Sequence, residues 1–146
     1  MLWTNLDQVQ VMGAELSGLP TGQGILSTLA VYDNTIATGK ANLWADAWLI
    51  FPSGYTPAAD APIELYKVPL SPDASYEDTT DGASPIVNKN ALMGVFDEQA
   101  TSPNRRSIIG VPYQPYKYKH YLLNLSGTNF PVSSAIKLYI ITYSEG

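Results

Sequence analysis

Ten consecutive residues, Asn42 to Phe51, alternate in character. Leu43, Ala45, Ala47, Leu49 and Phe51 fall on one side of an extended chain, and Asn42, Trp44, Asp46, Trp48 and Ile50 on the other. A helix repeats every 3.6 residues and would scatter both sets around its axis, whereas a strand keeps them apart. The segment is predicted as a strand with one apolar face and one mixed face, and the apolar face needs a second layer to cover it.

Similar segments recur along the chain. Gln8-Val9-Gln10-Val11, Ile25 to Tyr32, Ile63 to Val68, Leu92 to Phe96, Ser107 to Val111, Lys117 to Leu125 and Ala135 to Tyr143 read as further strands. Turn-forming stretches separate them: Gly18 to Gly24, Asp33-Asn34-Thr35, Pro52-Ser53-Gly54, Pro103-Asn104, Pro112 to Pro115 and Ser126 to Asn129. No stretch longer than about eight residues keeps a helical period with caps. Eight strands in 146 residues predict one all-β domain, an eight-stranded jelly-roll-like β-sandwich. An immunoglobulin-like sandwich, which runs nearer to ~100 residues, is the competing architecture.

Residues 1–24 read as an N-terminal arm with the first strand, and residues 25–146 as the sandwich domain. The arm, with Trp3 and Val9 to Met12, is expected either to add a strand to a neighbour's sheet edge or to fray.

Charge and composition narrow the partners. Eight basic residues against thirteen acidic ones leave a net charge of -5, which repels nucleic acid and anionic lipid, so neither is an expected partner. With no cysteine, disulfides and thiolate metal sites are excluded. No apolar run approaches the ~20 residues that cross a bilayer, and Met1 to Asn5 lack the basic start of a signal peptide, so synthesis and folding in a cytoplasm are expected. Ten tyrosines in so weakly charged a chain favour a contact surface, although strands also favour Tyr.

Candidate chemistry is sparse. His120, the single histidine, lies within a predicted strand with no acid beside it in sequence, and no Gly-x-Ser-x-Gly elbow exists. No enzyme activity, catalytic residue, cofactor or metal is expected. The polar stretch Ser71 to Asn90, with Asp73, Glu77, Asp78 and Asp81, is long for a connection in a compact domain and reads as a functional loop. Its spacing is not that of an EF-hand, and a solvated acidic loop is preferred over a calcium site.

Trp44 and Trp48 project from one side of a strand with Asp46 between them, forming either an aromatic platform or core. Arg105-Arg106 is the only basic pair, suited to clamping a partner carboxylate or to guarding a strand edge. Trp3, Val9, Val11, Trp44, Trp48, Tyr76, Arg105, Arg106, Tyr113 and Tyr116 are the candidate protein-contact residues. Asn124-Leu125-Ser126 is formally a glycosylation sequon.

Several short motifs add a resemblance: Ile63-Glu64-Leu65-Tyr66, Ser75-Tyr76-Glu77-Asp78, Ala91 to Phe96, Arg106 to Pro112, Lys119 to Asn124, Ser126 to Pro131 and Ile136 to Glu145. Over residues 42–145 the chain resembles small tailed-phage and prophage virion proteins of the capsid cement, or decoration, type. Gln114-Pro115-Tyr116 stands where that family carries a proline pair, and the stretch before Asn42 matches poorly. The resemblance implies a β-sandwich forming a homotrimer on the capsid surface, where it binds the major capsid protein and stabilises the shell. The alternative function is a carbohydrate-binding or receptor-binding module of a phage tail or fibre, using Trp44, Trp48 and the Tyr76 loop.

Overall fold

In the strand Trp44–Ile50, Ala45, Ala47 and Leu49 are fully buried while Trp44, Asp46, Trp48 and Ile50 are half-buried, so the alternation in sequence becomes alternation in burial. The computed structural model describes residues 3–28, 31–55, 62–71, 91–98 and 104–145. Among them are ten strands: β1 Trp3–Met12, β2 Gln23–Leu26, β3 Tyr32–Asp33, β4 Trp44–Ile50, β5 Ile63–Pro69, β6 Leu92–Val95, β7 Asp97–Glu98, β8 Arg105–Pro112, β9 Lys117–Asn124 and β10 Lys137–Glu145.

Two antiparallel sheets pack face to face as a β-sandwich. The first has the order β1-β10-β4-β8-β7 and the second β2-β9-β5-β6, with β3 also pairing with β9. Setting aside the two-residue strands β3 and β7, the pairing is nested: β1 with β10, β2 with β9, β4 with β8, β5 with β6. First with last, and so on inward, is the wrapping expected of an eight-stranded jelly roll.

Each of the eight segments read as strands from sequence contains strand residues here. One expectation changes in detail, because the run Ile25 to Tyr32 does not continue as a single strand: β2 stops at Leu26. The cause is local. At Ser27 the side-chain Oγ accepts the His120 amide at 3.1 Å, taking a place that a ladder carbonyl would fill. At the other end of the fold, β6 and β7 form one bent run that changes sheets at Phe96, whose amide donates to Ile63 O while its ring is buried. Gly94 permits the close seam, since a Cβ there would meet Ile108 Cγ2 at 2.9 Å.

Between the sheets, Leu49, Leu65, Leu122, Leu138 and Ile140 are wholly enclosed, each adding about 1.5–3 kcal/mol by leaving water. Residues 3–12 of the predicted arm form β1, which runs along β10 of the same chain. Its placement is fixed from beneath. The Tyr32 hydroxyl donates to Asp7 Oδ2 at 2.9 Å and meets Thr142 Oγ1 at 2.6 Å, and Lys40 pairs with Asp7 at 2.8 Å. Burial raises the Asp7 carboxyl, but the bonds from Lys40 and Tyr32 outweigh it and hold the pKa below the ordinary value.

Candidate functional site

The outward face of the first sheet carries a set of aromatic and aliphatic side chains that ladder geometry brings together. Its side chains stand in rows across the strands. Tyr139 of β10 lies between Gln10 of β1 and Trp48 of β4, Ile141 between Gln8 and Asp46, and Tyr143 opposite Trp44. A fourth row runs Lys137, Ile50, Arg105. Because alternate residues of these strands fill the core, the rest must face out, and six of the eleven named here are aromatic or aliphatic.

Two shallow hollows mark this face. One of about 420 Å³ is lined by Gln8, Trp48, Ile50, Arg105, Tyr139 and Ile141, and one of about 410 Å³ by Leu6, Asp46, Ile109, Ile141 and Tyr143. Ile141 belongs to both, so they form one band. Leu6 and Ile109 are 68% and 59% exposed, and their clustering here distinguishes the band from scattered surface leucines.

A bulge shapes the band. On β8 the residues Ile109 and Gly110 together face Asp46, so the register skips between Ala45 and Ala47. Gly110 has φ +70°, a backbone state that glycine adopts without steric cost. Asp46 Oδ1 accepts the Gly110 amide at 2.8 Å and the Tyr143 hydroxyl at 2.8 Å. Burial, then the bond and charge of Asp46, push Tyr143 up to about 12. The carboxylate between the two tryptophans is therefore engaged within the chain.

Of the residues singled out from sequence, Trp44, Trp48 and Arg105 come together on this face. Val9 is half-buried against the core, and Trp3 opens β1. Tyr116 is 53% exposed on the β8–β9 connection, lining neither hollow. Tyr76 and the acidic residues Asp73, Glu77, Asp78 and Asp81 lie outside the described residues.

Three expectations need correction. Arg106 is 2% exposed because it stands opposite Leu49 in the ladder, on the inward face, so neighbours in sequence point to opposite sides and no two-arginine clamp exists. Val11 also points inward and is buried. Tyr113 is enclosed at one end of the sandwich, its ring edge-on to Tyr32 at 5.9 Å and its hydroxyl 3.2 Å from His120 Nε2.

His120 is buried with Tyr113, and burial first, then the charge of Lys67, lowers its pKa to about 3. It is a neutral packing group at ordinary pH. Lys67 donates to Pro112 O and Gln114 Oε1 at 2.7 and 2.6 Å, and its ammonium lies 5.2 Å from the Tyr113 ring centre. Asn124 of the sequon is fully buried, donating to Leu19 O and Thr128 O and accepting from Ser126, so it shapes a turn and presents nothing to a glycosyl donor. No group of three His, Asp or Glu side chains suited to a metal ion occurs among the described residues.

Tyr139, Ile141 and Tyr143 complete the face and were not singled out from sequence. The usable signal was their spacing of two, matching Trp44 and Trp48. No family model, curated protein or solved structure matches the chain.

Proposed function

We propose that this protein is a structural binding module that docks on another protein through the outward face of its first sheet, and that its setting is a phage particle. The observation that carries the docking is the band from Arg105 and Trp48 through Tyr139 and Ile141 to Tyr143 and Ile109, an open surface rich in the Trp, Tyr and Arg that dominate protein interfaces. The setting rests on the sequence resemblance over residues 42–145 to capsid cement proteins. On that reading the partner is the major capsid protein, with the chain acting as a homotrimer on the capsid surface after synthesis in the host cytoplasm. Many copies held in fixed geometry let a modest contact sum to tight retention.

A sugar-binding role in a tail or fibre draws on the same half-buried tryptophan of the open face, Trp48. It is the weaker reading, because Asp46 already holds the Gly110 amide and the Tyr143 hydroxyl, which leaves the Gln8 amide in the hollow without a free carboxylate beside it to share sugar hydroxyls.

Quantitative mass spectrometry of phage particles from a strain carrying the gene should find the chain in copy numbers comparable with the shell protein. Removing the gene should lower the temperature at which particles release DNA. Absence from purified particles overturns the virion setting, and confinement to the tail tip overturns the cement role. Retention unchanged by the double variant Trp48→Ala, Tyr139→Ala overturns the docking face.

A further inference from the structure

The two hollows differ in charge, and the difference selects an occupant. The Trp48 hollow is bounded at one end by Arg105, with Lys137 in the same row beyond Ile50. Arg105 is exposed, and among the described residues nothing pairs with its guanidinium. Asp46, the carboxylate of the band, is engaged by Gly110 and Tyr143. The face as a whole is mixed, because Asp46 and, by ladder register, Asp97 share it, but among the described residues lining the Trp48 hollow Arg105 is the one charged side chain, on a chain whose net charge is -5.

We infer that the Trp48 hollow receives an acidic segment of a protein partner, seating an apolar side chain among Trp48, Tyr139 and Ile141 and a neighbouring carboxylate on Arg105. This rests on the reading of the face as a protein-docking surface and adds the chemistry of what docks. A hollow of about 420 Å³ holds one large side chain and its neighbour, rather than a whole helix. The guanidinium stands at its rim, so a carboxylate one or two residues along an extended segment reaches it while the apolar side chain is seated. A planar fork matches a carboxylate in bidentate fashion. Gln8, on the opposite wall, carries both a donor and an acceptor for the backbone of such a segment. The acidic remainder of the chain repels a partner whose carboxylates are displaced from this position, which sharpens the selection.

The test is a nuclear magnetic resonance titration of the full-length chain with three blocked peptides: acetyl-Ser-Asp-Phe-Glu-Ser-amide, its Asn/Gln isostere, and its Lys/Lys counterpart. The acidic peptide should shift the Trp48 indole and the amides around Tyr139 and Arg105. It should bind about two- to fivefold more tightly than the isostere, the usual value of one exposed ion pair. In Arg105→Glu, which is exposed and should melt like the parent, the order should reverse in favour of the lysine peptide. Equal affinity for the acidic peptide and its isostere, no shifts at saturating peptide, or shifts centred elsewhere overturn the inference. So does sedimentation of the chain alone showing self-association that Arg105→Glu abolishes, since the occupant is then a second copy.

Two further measurements separate this inference from the reading beneath it. If Trp48→Ala releases the chain from particles and Arg105→Glu does not, the face docks but acid recognition falls. If neither variant releases it, the docking face itself falls.

Discussion

Asp46 accepts the amide proton of Gly110 across the β4–β8 ladder at 2.8 Å, closing a bulge on the sheet's open side. The contact explains why a carboxylate sits between two tryptophans. Asp46→Ala leaves both that amide and the Tyr143 hydroxyl without their acceptor, and should cost about 1–2 kcal/mol, read as a lower urea midpoint. Gly110→Ala should cost about 1–2 kcal/mol, because the left-handed backbone state is strained for any residue with a Cβ. Asp46→Asn keeps an acceptor oxygen and should fall between the parent and Asp46→Ala.

Adjacent residues of β4 should respond in opposite ways. Leu49 is wholly buried, so Leu49→Ala should cost about 2–5 kcal/mol. Trp48 is half-buried on the open face, and Trp48→Ala should cost less than half as much while abolishing retention on particles. Denaturation midpoints and particle co-sedimentation on the same two proteins check both halves.

Stability should fall as the medium is acidified, beginning well above the carboxylate range. His120 has its pKa lowered from 6.5 to about 3, so between those values the unfolded chain takes up a proton that the folded chain refuses. The contribution is present above about pH 6.5 and is lost towards pH 3, at about 1.4 kcal/mol per pH unit. Asp7, also lowered, adds a further loss as the pH drops below its ordinary value of 3.8. Urea midpoints measured from pH 7 to pH 4 should show this slope, and His120→Gln should flatten it by one proton.

Gly24 lies against the buried ring of Tyr121, and a Cβ at that position would meet the ring hydroxyl and its carbon. Gly24→Ala should cost about 1–3 kcal/mol through overpacking. The two sites should couple: in a double-mutant cycle with Tyr121→Leu, the cost of Gly24→Ala should shrink by at least about 1 kcal/mol.

The legible parts of this fold are those where one face of a strand is apolar and the other is not. In β4 the pattern separated core from surface at every position inside the strand. It failed at the two positions before the strand, Asn42, which is wholly buried, and Leu43, which is 58% exposed, because β4 begins only at Trp44. β10 was legible as a strand but not as a surface. Ile136, Leu138 and Ile140 alternate with Tyr139, Ile141 and Tyr143, and a strand apolar on both faces carries no mark of which one meets water.

Arg106 and Tyr113 mislead for a different reason. A charged residue beside a turn and a tyrosine between prolines resemble surface residues locally, and only the ladder partner of the first and the packing around the second place them inside. Trp44, Trp48 and Arg105 were recognisable as candidates, but their neighbours Tyr139 and Ile141 come from more than eighty residues along the chain in the case of the two tryptophans. That proximity is a product of strand order.

The nested pairing has a consequence for synthesis. Val9 pairs with Ile140, more than a hundred residues later, so β1 leaves the ribosome long before its partner exists. At translation rates of about 5–20 residues per second, the strand waits on the order of ten seconds with both edges unpaired. Its register is irregular between Thr4 and Asp7 and again between Gln10 and Met12, and Asp7 sets a charge on what will become the inward side. Those features make β1 a poor template for another nascent chain, so the strand that completes the sandwich is ill suited to pair too early.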